Sequence, residues 1–138
     1  MAEEDCIFCK IIAGQIPCHK VYEDQSVIVF LDINPVSEGH TLVVPKEHFE
    51  RFDECSAEVV TAIGTIVGKI SRAVTVAAGA DGYNLLCNNG VAAGQLVGHV
   101  HFHIIPRNNG DGILKGWPAS KYEYGRAETV LENIRKQL

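Results

Sequence analysis

The chain has 138 residues, the length of one ordinary domain. Hydrophobic residues make up 46% and charged residues 21%, a balance that excludes a disordered or low-complexity chain. With 17 acidic and 12 basic residues the formal net charge is −5, the wrong sign for a broad nucleic-acid footprint, so no nucleic-acid partner is expected. No apolar run approaches the roughly 18 residues of a bilayer span, so no membrane partner is expected either. Met1-Ala2-Glu3-Glu4-Asp5 is acidic where a secretory leader is basic and then apolar, which points to a cytoplasmic protein. Five cysteines in that reducing compartment argue against a disulfide scaffold and for metal binding by one close pair.

Cys6 to Ala13 carries apolar residues at helical spacing, with Gly14 as a terminator. Val21–Glu23 and Val27–Leu31 are rich in β-branched and aromatic residues and flank the turn-like Asp24-Gln25-Ser26, predicting a hairpin. Thr41–Pro45 reads as a further strand, closed by its proline. After Ser56, a good N-cap, Val59, Ile63, Ile66, Val67, Ile70 and Val74 recur at helical steps up to Gly79. Gly64 and Gly68 fall inside that helix, where they would let a strand or a partner come close. Tyr83–Cys87 and Val97–Pro106 read as strands and Glu128–Gln137 as a terminal helix. Strands gathered around one long helix indicate a single α+β domain, with a core of about 5–107 and an extension over 108–138.

The stretch from His99 to Pro106 concentrates the chemistry. Strand alternation puts Val100, Phe102 and Ile104 on one face and His99, His101 and His103 on the other. Same-face neighbours are about 7 Å apart, so one imidazole can attack a phosphate or acyl group while its neighbour contacts it. Two such nitrogens can also hold a metal, and both chemistries stay open at this point. Asn88-Asn89-Gly90 and Gly94-Gln95 form an amide- and glycine-rich loop suited to phosphate oxygens. No P-loop or dinucleotide fingerprint is present. Cys6-x-x-Cys9 has metal-ligand spacing, though two thiols alone could equally be redox-active or plain core.

Gly94-Gln95 followed by His99-Val100-His101-Phe102-His103-Ile104-Ile105 resembles the signature of the histidine-triad (HIT) superfamily of nucleotide hydrolases and transferases. Cys6–Ile12, Phe30–Pro35 and Gly39–Lys46 agree with it, and Trp117-Pro118 is similar to a tryptophan-proline pair of the Hint branch. The resemblance implies a HIT fold, an antiparallel sheet of about five strands with one long and one short N-terminal helix. It implies hydrolysis of nucleoside phosphoramidates or related nucleotidyl conjugates, with a nucleotide-binding or scaffolding module as the alternative. His101 would be the nucleophile. His103 and Gln95 would contact phosphate oxygens beside Asn88 and Gly94, and His99 would complete the triad. Asp32 would accept the ribose hydroxyls of a purine nucleotide, with Phe8, Ile33 and Leu42 around the base and His40 orienting the triad. Cys6, Cys9, His48 and His99 would share a structural zinc. Family members of this size are similar in being homodimers. One position departs from the pattern: Leu96 stands where a hydroxyl residue is common, so no side-chain proton is offered there to the leaving group.

Overall fold

The computed structural model describes residues 3–138; Met1 and Ala2, part of the acidic start, lie outside the described residues. A short helix α1 (Ile7–Ile12) is followed by β1 (Lys20–Glu23), β2 (Val27–Leu31) and β3 (Thr41–Pro45). The long helix α2 (Ala57–Ala77), β4 (Gly82–Leu86), β5 (Phe102–Arg107) and α3 (Arg126–Arg135) complete the chain. The strands form one antiparallel sheet in the order β1-β2-β3-β5-β4. The α+β class and the five-stranded sheet are as the sequence predicts.

Two apolar layers share this sheet. Val27, Val29, Val43 and Ile104 point to one side and bury Val59, Ile63, Ile66, Ile70 and Val74 of α2. Ile28, Phe30, Leu42 and Val44 point to the other and pack with Phe8 of α1. A strand covered on both faces has no polar alternation, which is why VIVFL and TLVVP read as unbroken apolar runs. Each fully buried valine or isoleucine contributes about 1.5–3 kcal/mol relative to an exposed one. Helix α2 has the length and hydropathy of a membrane span. Its apolar stripe, however, is packed on the sheet.

Ser56 caps α2 by accepting the Val59 N–H at 3.3 Å, as expected. The expectation for Gly64 and Gly68 is corrected within the protomer: a Cβ at either would meet nothing within 4 Å, so no strand approaches them. The strand predicted over 97–106 is also shorter at its start. Residues 97–101 leave the ladder, and the Val100 N–H bonds the Phe49 carbonyl at 2.7 Å. His99 and His101 therefore sit on the lead-in to β5, while His103 lies within it.

Gly39, two residues before β3, has φ +92°, and a Cβ there would lie 3.2 Å from Pro106 Cγ. Both the left-handed backbone and the close approach demand glycine. Gly39→Ala is expected to destabilise the fold by about 1–3 kcal/mol, read as a lower urea midpoint at unchanged m-value.

Candidate active site

Three elements build the cleft on the α1 side of the sheet. Helix α1 supplies Phe8, the β2–β3 connection supplies Asp32, Ile33 and His40, and β5 with its lead-in supplies His101 and His103. Asn88, Gly94 and Leu96 of the glycine-rich loop close the far side of a cavity of about 530 Å³, within the range of small-molecule sites. Phe8 stands edge-on to His101 at 5.0 Å, and the His101 and His103 rings are 4.8 Å apart.

Hydrogen bonds fix which nitrogen of each ring carries a proton. The Val36 N–H donates to His40 Nδ1 at 3.1 Å, so neutral His40 is protonated at Nε2. That Nε2–H donates to His103 Nδ1 at 2.8 Å, leaving the His103 proton on Nε2, the nitrogen not engaged by protein. His101 Nδ1–H donates to the His99 carbonyl at 2.7 Å, so the His101 lone pair is on Nε2. The cleft thus presents one imidazole nitrogen as a base and its neighbour as a donor. Burial pushes His40 and His101 down and His103 down to about 4, so all three are neutral at physiological pH. The 3.7 Å approach of His40 Nε2 to Asp32 is therefore not an ion pair.

Asp32 lines the cleft with its side chain 20% exposed, and its Oδ1 accepts the Asn34 N–H at 2.8 Å. Oδ2 accepts no hydrogen bond from the described residues, so it is available to a diol in the cleft that Asp32 lines. Ile33, expected beside the base, is 77% exposed at the rim, whereas Phe8 and Leu42 are buried in the wall.

Two expected site residues are placed elsewhere. Gln95 is buried with its carboxamide fully engaged: Oε1 accepts Gly90 N–H at 2.7 Å, and Nε2 donates to the Glu50 and Val97 carbonyls at 2.7 and 3.0 Å. It braces the loop and does not line the cleft, because its carboxamide is taken by three backbone groups of neighbouring segments. His99 also turns away from the cleft; it touches the triad through its carbonyl, and its ring lies among the cysteines. Lys46 and Arg107 are both paired: Lys46 with Glu23 at 2.9 Å and Arg107 with Asp111 at 2.8 Å. Sequence reading missed Leu86, Ile105 and Leu114 as cleft residues. Leu114 lies in a connection without periodicity, so only its contacts could reveal it.

Cys6, Cys9, His48 and His99 bring four ligand atoms within 4.8 Å of one another. Cys6 is the N-cap of α1 and Cys9 lies one turn on, which puts both thiols at the helix start. His48 Nδ1 and His99 Nδ1 are 3.1 Å apart, and three of the four sulfur–nitrogen pairs, Cys6–His99, Cys9–His48 and Cys9–His99, are at 3.4, 3.4 and 3.6 Å. A tetrahedral zinc with bonds of about 2.3 Å to sulfur and about 2.0 Å to nitrogen needs edges of roughly 3.3 Å (N–N) and roughly 3.5 Å (S–N). The donors fit. His99 Nε2–H donates to the Pro45 carbonyl at 2.8 Å, which leaves Nδ1 as the ligating lone pair. The Glu3 carboxylate stands 3.6 Å from His48 Nε2.

Cys9→Ser is expected to abolish stoichiometric zinc in the purified protein by metal analysis and to lower its melting temperature. A second expectation concerns pH. His40 and His103 are held neutral below the usual imidazole pKa of 6.5, His103 down to about 4. Below pH 6.5 the unfolded chain binds protons that these buried rings refuse, so their contribution to stability is complete above 6.5 and is lost as pH falls toward 4. Urea unfolding between pH 7.5 and 4.5 should show this slope, and His103→Asn should reduce it.

The HIT domain family matches residues 13–110. An uncharacterised HIT-like protein of Methanocaldococcus jannaschii is 56% identical over 136 residues, covering 96% of this chain and 98% of its own. The adenosine 5′-monophosphoramidase of Schizosaccharomyces pombe is 49% identical over 134 residues, with 96% and 98% covered. Among solved structures, a Streptococcus mutans protein superposes with a TM-score of 0.93 at 40% identity, covering 99% of this chain and 87% of its own. A zinc-bound histidine-triad protein of Mycobacterium smegmatis superposes with a TM-score of 0.74 at 33% identity, covering 97% and 98%. Fold, histidine face and sequence likeness agree, and the chain belongs to the HIT family.

Proposed function

We propose that the protein is a nucleotide hydrolase that cleaves nucleoside phosphoramidates or related nucleotidyl conjugates at the α-phosphorus through a nucleotidyl-histidine intermediate. The observation that carries this reading is the complementary pair in one cleft: His101 Nε2 with a free lone pair beside His103 Nε2–H. The lone pair bonds phosphorus while the P–N or P–O bond to the leaving group breaks. The His103 proton, held in place by the chain from Val36 through His40, donates to a phosphoryl oxygen as charge builds there. Water then displaces His101, and the nucleotide leaves. A covalent nucleophile divides one hard displacement into two easier ones.

Asp32 accepts the ribose hydroxyls, and Phe8 and Leu42 pack against a purine base. Asn88 and Gly94 line the phosphate end. The name of the fission-yeast relative, an adenosine 5′-monophosphoramidase, supports this substrate class. Zinc held by Cys6, Cys9, His48 and His99 is structural, because four protein ligands leave no open position; it ties α1 to the triad lead-in. The zinc-bound mycobacterial relative supports that ion. Two free thiols at the metal position need a reducing compartment, consistent with the cytoplasm. Exposed Val76 of α2 and Tyr83 and Leu85 of the edge strand β4 support a homodimer across that side.

AMP release from adenosine 5′-phosphoramidate is the test. His101→Ala is expected to lower kcat by about 10⁴-fold while AMP still binds. Equal turnover in both proteins would overturn the assignment of His101. A wild-type protein that binds AMP but turns nothing over would favour a binding module, with Leu96 the first residue to suspect.

A further inference from the structure

The cleft continues past the two histidines. His103 lies opposite Leu42 of β3 on one side and opposite Leu86 of β4 on the other. Cross-strand partners share a face, so its imidazole divides the cleft into two arms. The β3 side leads to His40, Phe30 and Asp32, the nucleoside arm. The β4 side leads to Leu86, Leu96 and Leu114, with Ile105 following His103 on the same face, away from His101.

This second arm is apolar and open. Leu96 is 95% exposed, Leu114 53% and Leu86 37%. A single exposed leucine is ordinary, but three converging on one arm of a catalytic cleft are not. The described residues lining the whole cleft include no lysine or arginine, and their one carboxylate, Asp32, is on the other arm. No cationic side chain lines the cleft to receive an anionic group; Arg107 and Lys115 line the neighbouring cavity on the other side of Leu114.

Leu114 is also placed at a conformational cost. It is the sole non-glycine residue with positive φ among the described residues, at φ 47°. A clamp holds the chain just before it. Arg107 Nε and Nη2 donate to the two Asp111 oxygens at 2.8 Å each, Nη1 donates to Asn84 Oδ1 at 2.7 Å, and Nη2 also donates to the Ile113 carbonyl. Asp111 in turn accepts the Ile113 N–H at 3.0 Å. The segment is thereby fixed to β4 and β5, and the next residue projects its side chain over the cleft. Such strain persists where the surroundings over-determine it, and that is most often at a site of function.

We propose that this arm is the leaving-group subsite and that Leu86, Leu96 and Leu114 select an apolar leaving group, an alkyl or arylalkyl amine, over a small or anionic one. The inference rests on the hydrolase reading above. His101 Nε2 bonds phosphorus and the P–N bond breaks. Its electron pair leaves on the amine nitrogen with a proton drawn from water, and the hydroxide equivalent left behind displaces His101. In-line displacement puts the departing amine on the far side of phosphorus from His101, toward this arm. Leu96 donates no proton there; it offers apolar contact.

The experiment measures kcat/KM for AMP release from the methylamine, phenylpropylamine and γ-aminobutyrate phosphoramidates of adenosine, three primary amines of similar basicity. The wild type is expected to favour the phenylpropyl conjugate. Leu114→Gly tolerates the positive φ without strain and removes the side chain. It is expected to lower the phenylpropyl-to-methyl ratio about 10-fold, and Leu96→Ser to lower it in the same direction. Taking a ratio within each variant separates selectivity from any general loss of folded protein. A wild-type preference for the methyl or carboxylate conjugate, or a ratio that neither variant changes, would overturn the subsite. Absence of turnover with all three, with zinc bound and the protein folded, would overturn the hydrolase reading and this inference with it.

Discussion

The placement of a single peptide, that of His99, governs the cleft. Its ring is locked at both nitrogens, Nε2 by the Pro45 carbonyl and Nδ1 by the cluster of Cys6, Cys9 and His48. Its carbonyl then takes the Nδ1 proton of His101. The side chain that anchors the lead-in to β5 and the carbonyl that sets the tautomer of His101, two residues on, belong to the same residue. In the proposed mechanism the imidazole nucleophile works only as the neutral ring with its lone pair toward phosphorus, so there this anchoring is part of the chemistry. The cluster of two thiols and two imidazoles lies outside the cleft and is joined to it through the position of one carbonyl.

Neutrality is the second condition, and burial meets it. His40, His101 and His103 lose hydration between α1 and the sheet, which disfavours the imidazolium form in each. Charging one would also disfavour its neighbours, since the rings are 4.8–5.1 Å apart. Each therefore has a hydrogen-bonding role in place of a charge, and no buried side-chain polar atom among the described residues is left without a partner. Such a network specifies one arrangement of protons, a preorganised form that costs little to reorganise during reaction.

The cleft is asymmetric about these rings. Toward β2 and β3 it has a carboxylate, an aromatic wall and a buried leucine; toward β4 it has bare leucines and a braced connection. That division follows from strand order. Because β5 lies between β3 and β4, a side chain in its middle faces two different neighbours. On the proposed reading, nucleoside recognition and leaving-group recognition would vary separately on such a frame, which is consistent with one fold serving several substrates.

The sequence by itself determined the fold class, the hairpin of β1 and β2, the capped helix after Ser56 and the segment that carries the histidines. These rest on local periodicity and capping, which are written residue by residue. It also carried the metal donor set, but only through likeness to a family, since a thiol pair and two distant histidines have no local signature of being together. Tertiary structure alone decided the rest. Gln95 is drawn away from the cleft because its carboxamide is taken by three partly buried backbone groups. The ladder of β5 begins at Phe102 because Val100 bonds Phe49 instead of a strand neighbour. Leu114 reaches the cleft because Arg107 and Asp111, four residues apart, bend the chain that carries it. In each case the deciding partner is a hydrogen-bonding group in another segment or turn, and the demand of buried polar groups for partners appears only once the chain has closed around them.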